Sequence, residues 1–176
     1  SRLCQLLLEH SRLEVLLGKE PVRSSIDLVQ LARQVIGNHD ALAVRRNVSL
    51  RLLAPTTCIL PADARSLALL LDNLLRNALH HTPTAGQVTV ALEAAPNGAL
   101  ALAVHNSGAP IAPEHLPRLF DRFYRADSSR RRAAGGSDLG LAICREIVLA
   151  HGGDILAEPS ELGGLALHLT FPLRPT

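Results

Sequence analysis

In residues 1–21, apolar residues recur at intervals of three and four positions and charged residues separate them, which predicts an amphipathic helix. Gly18 and Pro21 end this pattern, and residues 21–25 are predicted to form a linker. Because the chain starts within a helical pattern, we expect it to be a piece of a longer protein. A domain boundary near residue 22 is therefore predicted, with residues 22–176 forming one domain.

The remainder alternates between helical and strand-like patterns. Asp27 is predicted to cap a helix that runs to about Ala43, and Asp63 to begin a longer helix through His81 that Pro83 ends. Apolar residues that alternate or cluster predict strands at 48–52, 58–60, 87–94, 99–105, 154–158 and 166–172. A last helical pattern predicts a helix at 139–151. The irregular interleaving favours an α/β two-layer sandwich, in which helices cover one face of a mixed β-sheet.

Composition narrows the functional classes. The chain has 176 residues, of which 47% are hydrophobic and 19% charged, so one ordinary domain with an aliphatic core is expected. Three Phe, one Tyr, no Trp and a net charge of +2 argue against a nucleic-acid partner. The longest apolar stretches are too short to cross a bilayer, and the sequence starts without a signal-peptide pattern.

The cysteines and most of the histidines suggest no site of their own. Three cysteines, far apart and odd in number, fit neither a disulfide framework nor a paired-cysteine metal site: Cys4, Cys58 and Cys144. Several histidines show no ligand spacing and are expected at the surface or as helix caps: His39, His105, His115, His151 and His168.

The helix from Asp63 carries the first candidate chemistry. At about 100° per residue, four apolar side chains point in one direction: Leu67, Leu71, Leu74 and Ala78. Asn73, Asn77 and His80 lie together on the adjacent flank. Amide oxygens are suitable ligands for Mg²⁺ beside a phosphate. Taken alone, two Asn residues on a helix flank are equally typical of a solvated surface.

Three further motifs follow along the chain. Residues 106–111, Asn-Ser-Gly-Ala-Pro-Ile, form a turn after a predicted strand, where backbone can approach a flat ligand closely. Residues 119–125 gather three of the four aromatic side chains beside two arginines, and form either a phosphate-facing element or a small satellite core. Residues 135–141 are glycine-rich and precede a helix whose N–H groups are suited to phosphate. Lys19 is the only lysine, so a Walker-type P-loop is excluded.

The order of these motifs resembles the C-terminal ATP-binding catalytic domain of bacterial two-component sensor histidine kinases. That domain shares its nucleotide fold, the Bergerat-type fold, with type II topoisomerases and mismatch-repair ATPases. The resemblance spans roughly residues 26–173. The Asn-x-Gly-x-Pro-Ile form of residues 106–111 is similar to the heavy-metal-sensor branch of these kinases.

The resemblance implies roles for individual residues. Residues 72–78 resemble the N box, so Asn77 would be the Mg²⁺ ligand with Asn73 supporting it. Residues 120–125 resemble the F box, with Arg125 approaching the γ-phosphate, and residues 126–138 resemble the ATP lid, which we expect to be mobile without nucleotide. The other residues implied in binding ATP are His80, His81, Asn106, Gly108, Ile111, Phe123, Gly136, Ser137, Leu139, Gly140 and Leu141.

Four positions depart from the family pattern. Asn106 stands where Asp usually accepts a hydrogen bond from the adenine amino group, and an Asn retains an acceptor oxygen. Pro110 replaces a glycine and stiffens that turn. His80 replaces a basic residue that faces phosphate, so phosphate affinity is expected to depend on pH. Asp138 replaces a glycine and brings a carboxylate toward the triphosphate, which predicts weakened ATP binding.

The resemblance implies a kinase that transfers the γ-phosphoryl group of ATP to a histidine on a dimerisation domain, for relay to a response regulator. Residues 1–21 resemble the end of the second helix of that domain, and His10 lies in this pattern without the context of a phosphoacceptor. The implied parent is a homodimeric inner-membrane protein of a bacterium, with this domain in the cytoplasm and its membrane contact made only through an N-terminal region. Two alternatives remain: a degenerate nucleotide fold that acts as an interaction module, and an anti-sigma-factor-type serine kinase.

Overall fold

The computed structural model describes residues 22–95, 98–122, 124 and 139–172. Its helices are α1 (Leu28–Arg45), α2 (Ala64–His81) and α3 (Gly140–Ala150), with a short 3₁₀ helix at Leu116–Arg118. Its strands are β1 (Ser24–Asp27), β2 (Ser49–Leu53), β3 (Ile59–Ala62), β4 (Gln87–Ala94), β5 (Ala99–Asn106), β6 (Asp154–Pro159) and β7 (Leu165–Pro172). The predictions for residues 1–21 and 126–138 lie outside the described residues.

Five strands form a mixed sheet in the order β2-β4-β5-β7-β6. The β2–β4 pair is parallel and the other three pairs are antiparallel. Strand β5 lies at the centre, and every second residue of it is buried, namely Leu100, Leu102, Val104 and Asn106. This row packs beneath the helices, so the predicted two-layer α/β sandwich is confirmed.

The predicted linker is partly wrong. Ser24–Asp27 forms strand β1 and pairs antiparallel with β3 in a separate two-stranded sheet. Ser24 and Ser25 are exposed and carry no apolar signal, so only the distant pairing partner determines that they are extended. Asp27 joins this sheet to α1, because its Oδ1 accepts hydrogen bonds from the backbone N–H groups of Val29 and Cys58, each at 3.0 Å.

Helices α2 and α3 run antiparallel, and a contact joins the start of α2 to the end of α3. The Asp63 N–H at the start of α2 donates to His151 Nε2 at the end of α3 (3.1 Å). His151 Nδ1 in turn bonds the carbonyl oxygen of Ile147 (2.8 Å), so this histidine is a helix cap as predicted. The antiparallel arrangement brings the middle of α2 beside the first residue of α3.

One histidine prediction is wrong. His39 is buried rather than exposed, and its Nε2 lies 2.8 Å from Oδ1 of Asp72. Because Asp72 lies on α2, this contact ties α1 to the helix that carries the predicted N box. The sequence contains two helices with polar residues at these positions, but no local pattern shows that the two faces meet.

Candidate functional site

Helix α2 separates a core face from a polar flank as predicted. The side chains of Leu67, Leu71 and Leu74 are fully buried. On the neighbouring flank, Asn73 is 8% exposed, whereas Asn77 and His80 are half-buried and His81 is exposed. The exposure of the amide side chains on this flank therefore increases along α2, from the buried Asn73 to the half-buried Asn77 one turn later.

Asn73 has an unusual environment for a buried polar residue. Its Nδ2 is the only fully enclosed side-chain nitrogen or oxygen among the described residues that has no hydrogen-bond partner. Its Oδ1 lies 3.6 Å from the position that a Cβ would occupy on Gly140, the first residue of α3. The structure thus brings Asn73 of the predicted N box together with Gly140 of the glycine-rich residues 135–141.

The start of α3 is suited to an anion. Leu139 occupies the N-cap position and has no side chain that can accept from the first-turn N–H groups of α3. Leu139 is buried and Leu141 is partly buried against the core, so both anchor the helix start while Gly140 keeps it open. A helix N-terminus beside a buried amide donor favours a group rich in negatively charged oxygens.

A second cluster lies at the end of β5. Asn106 is 2% exposed, and its Oδ1 accepts hydrogen bonds from the N–H groups of Gly108 (3.2 Å) and Leu165 (3.0 Å). The N–H of Gly164 donates to the backbone oxygen of Asn106 (3.1 Å). The turn after β5 is therefore held by the turn before β7, 59 residues away in the chain.

This geometry corrects the expectation that Asn106 offers an acceptor oxygen to a base. An amide oxygen has two lone pairs, and in this structure both are used by backbone N–H groups. The Nδ2 group of Asn106, a donor, is what remains.

Close backbone approach explains two glycines in this cluster. A Cβ on Gly108 would overlap the backbone oxygen of His81 at the end of α2. A Cβ on Gly164 would overlap Oδ1 of Asn106 and lie 2.5 Å from the Gly108 nitrogen. Gly108 was a predicted site residue, whereas Gly164 was not. The signal for Gly164, a Gly-Gly pair before a strand, does not show which residue it faces.

The end of α2 is held in place by α1. Arg46 donates from Nη1 to the backbone oxygen of Leu79 and from Nη2 to that of Thr82 (2.9 Å). The hydroxyl of Thr82 donates to the Ala78 oxygen (2.7 Å). These bonds satisfy carbonyl groups at the helix terminus. They also position the backbone of His81 over Gly108.

The described part of the aromatic segment packs against the main core and against α3. Phe120 is buried and belongs to the main core. Tyr124 bonds His115 Nδ1 through its hydroxyl, and its ring lies 4.2 Å from the guanidinium carbon of Arg118. Arg122 forms an ion pair with Glu146 on α3. The segment thus packs beside α3.

The side chains of several predicted site residues are not brought into either cluster. Ile111 is partly buried against the core. His80 and His81 contact each other edge to face, with ring centroids 4.9 Å apart. A pocket of about 240 Å³ lies elsewhere, between α1 and β2, and contains none of the predicted residues. The remaining predictions lie outside the described residues: Phe123, Arg125, Gly136, Ser137 and Asp138.

Comparison with known proteins agrees with this architecture. The family of histidine kinase-, DNA gyrase B- and HSP90-like ATPases matches residues 62–175. Sensor histidine kinase CusS of Escherichia coli K12 is 41% identical over 152 residues, which are 86% of this chain and 31% of that protein. Sensor histidine kinase WalK of Bacillus subtilis 168 is 33% identical over 153 residues, which are 86% of this chain and 25% of that protein. The chain thus spans a third or less of the length of these relatives.

The structure of the mycobacterial sensor histidine kinase MprB superimposes with a TM-score of 0.75 at 28% identity, covering 87% of this chain and 100% of that one. The chain therefore belongs to the family of histidine kinase-, DNA gyrase B- and HSP90-like ATPases. Within that family it has the Bergerat-type fold of the ATP-binding catalytic domain of sensor histidine kinases. The match to CusS supports the resemblance to the heavy-metal-sensor branch.

The residues present fit a nucleotide. The unpartnered Nδ2 of Asn73 and the start of α3 both favour acceptor oxygens, and Asn73 lies beside Gly140, the first residue of α3. At Gly108 and Gly164 the backbone is packed too closely for a Cβ, so no side chain projects from these two positions toward a flat ring. These two halves of the site lie at opposite ends of the α2 amide flank, as an elongated ligand with a polar tail requires.

Proposed function

We propose that this domain binds MgATP and transfers the γ-phosphoryl group to a histidine of a dimerisation domain in the same protein. The buried, unpartnered Nδ2 of Asn73 beside Gly140 carries the proposal, because it is a donor without an acceptor at the place where the family binds phosphates. Asn77, half-buried one turn along α2, would ligate the cation through its amide oxygen. When bound, Mg²⁺ would neutralise charge on the phosphates.

The chain's own residues would act by position and electrostatics. Asn73 and the start of α3 would hold phosphate oxygens, and Arg125 would approach the γ-phosphate. The base would lie against Gly108 and Ile111, with Asn106 contacting its edge. His80, His81, Phe123, Leu139 and Leu141 would complete the walls, and Gly136 and Ser137 would contact the nucleotide from the lid side.

We further propose that the parent is a homodimeric bacterial inner-membrane kinase with this domain in the cytoplasm, signalling to a response regulator. The similarity to CusS and WalK supports this proposal. No helix in the described part of the chain is long and apolar enough to cross a membrane. We propose that an N-terminal region of the parent protein makes the contact with the membrane.

A degenerate nucleotide fold, serving only as an interaction module, is the second candidate because Asp138 places a carboxylate in the glycine-rich segment. If this carboxylate opposes phosphate, Asp138→Gly should tighten ATP binding, and the gain should be larger for ATP than for adenosine and should shrink as salt rises. Calorimetric titration of both ligands measures this. Equal affinities of the two proteins would show that residue 138 does not face the phosphates.

Phosphotransfer itself requires the acceptor domain. Incubation of this chain with radiolabelled ATP, Mg²⁺ and the separately purified dimerisation domain of its parent should produce acid-labile phosphate on that domain. Asn38→Ala, an amide-to-methyl change at an exposed position of α1, serves as a matched control and should leave transfer unchanged. ATP binding without any transfer would favour the interaction module.

A further inference from the structure

The orientation of the Asn106 amide is fixed by its surroundings. Gly108 and Leu165 both present N–H donors to the same side of this side chain, at 3.2 and 3.0 Å from Oδ1. Reversing the amide would set its own N–H₂ group against two donors and would leave three buried groups without partners. Such a reversal costs several hydrogen bonds, so the oxygen faces inward.

The Nδ2 group of Asn106 is left facing the site. No described residue accepts a hydrogen bond from it. It is also not fully enclosed, because Asn73 Nδ2 is the only such atom in the described residues that is both enclosed and unpartnered. A donor at the edge of a binding site is complementary to an acceptor on the ligand.

We propose, building on the proposed nucleotide site, that Asn106 recognises the base by donating from Nδ2 to an acceptor on the purine edge. This acceptor is the ring nitrogen N1 in adenine, and the 6-carbonyl oxygen in a 6-oxopurine such as hypoxanthine. The 6-amino group of adenine then contributes little to affinity. The site therefore discriminates weakly between ATP and 6-oxopurine triphosphates, whereas an Asp at this position would accept from the amino group and repel a carbonyl oxygen.

Three purine triphosphates test this specificity: ATP, its analogue without the 6-amino group, and ITP, which has a 6-carbonyl oxygen and a hydrogen on N1. Calorimetry with Mg²⁺ should give wild-type affinities for ATP, purine riboside 5′-triphosphate and ITP that agree within about threefold. For Asn106→Asp, affinity for purine riboside 5′-triphosphate should fall about tenfold or more relative to ATP, because a site built to bond a substrate N–H rejects an analogue without it. The phosphates are identical, so the added charge cancels in the ratio. Asn38→Asp adds the same charge at an exposed position of α1 and should change no ratio.

The wild-type titrations alone are sufficient to overturn the proposal. A tenfold loss on removal of the amino group would mean that Asn106 accepts from that group, contrary to the geometry. If Asn106→Asp does not fold, as judged by circular dichroism, the wild-type comparison still decides. If none of the three nucleotides binds, the proposed function itself fails, whereas ATP binding that depends on the amino group overturns only the base-recognition proposal.

Discussion

The base side and the phosphate side of the proposed nucleotide site are built in different ways. On the base side, defined by Asn106, Gly108 and Gly164, backbone hydrogen bonds use both lone pairs of the Asn106 side-chain oxygen. On the phosphate side, defined by Asn73, Asn77 and Gly140, the nitrogen of Asn73 is buried without a partner. The hydrogen bonds of the base side are thus complete without a ligand. On the phosphate side, burial of the unpaired Asn73 nitrogen lowers the stability of the fold, and a ligand oxygen that accepts from this nitrogen would remove that penalty.

A buried unpaired amide costs about 1–3 kcal/mol of folding stability. A ligand oxygen that accepts from Asn73 would recover that free energy on binding. We therefore expect substitutions on the phosphate side to separate stability from affinity, and substitutions on the base side to reduce both together.

The largest effect is expected at Asn77. Asn77→Ala should abolish Mg²⁺-dependent ATP binding while the fold is retained, because this side chain lies on the polar flank and is absent from the core of α2. Calorimetry with and without Mg²⁺ measures the binding, and thermal unfolding monitors the fold. Asn38→Ala is the control and should bind normally. If Asn77→Ala binds MgATP as tightly as the wild type, the assignment of residues 72–78 to an N box is wrong.

Gly164→Ala should disturb the base side severely. The added Cβ would overlap Asn106 Oδ1 and lie 2.6 Å from the Asn106 backbone oxygen, so the two turns must separate. We expect at least a tenfold loss of ATP affinity together with about 1–3 kcal/mol of destabilisation, as for an overpacked site. Titration and urea unfolding measure the two quantities.

The control is Gly37→Ala in α1, where nothing lies within 4 Å of the added Cβ. Since glycine in a helix interior is unfavourable, this variant should be more stable by about 0.5–1 kcal/mol and bind ATP normally. A Gly164→Ala protein as stable as the wild type would show that the base side is not held as tightly as the structure indicates.

The sequence predicted the elements of this site better than their contacts. Helix α2 is predictable because an Asp cap, a regular leucine spacing and a closing Pro83 are all local signals. The orientation of Asn106 is not, because it depends on the N–H of Leu165, 59 residues further on. For the same reason β1 was missed, since Ser24 and Ser25 are extended only by pairing with β3. Hydrogen bonds between residues far apart in the sequence thus determine the conformation of β1 and of Asn106, which local patterns do not predict.

Asn73→Leu tests the phosphate side. Leu has the same branched arrangement of heavy atoms and no polar atom, so it removes the enclosed unpaired donor. The free energy of unfolding should rise by about 1 kcal/mol, while ATP affinity should fall about tenfold or more. Urea unfolding and calorimetry give the two values, with Asn38→Leu at an exposed position as control. A variant that loses stability but keeps its affinity would contradict the division into two sides.

The smallest effect is expected at Asp27, which lies on neither side of the site and serves as an outside reference. The backbone N–H of Cys58, with those of Val29 and Gln30 and the charge of Arg33, holds the pKa of Asp27 below its usual value of 3.8, although burial opposes this. Since the pKa of Asp27 is lower in the folded than in the unfolded protein, its ionised carboxylate stabilises the fold at pH values above the unfolded-state pKa. This stabilisation is lost as the pH falls from the unfolded-state pKa toward the folded-state pKa.

Asn also caps helices well but does not titrate. Asp27→Asn should therefore be slightly less stable than the wild type at pH 7, and the difference should disappear as pH falls below about 4. Urea unfolding at several pH values measures it, and ATP affinity at pH 7 should be unchanged. If the stability difference persists at acid pH, its cause is that the amide in Asp27→Asn caps the helix poorly. The charge of Asp27 would then not be the source of the difference.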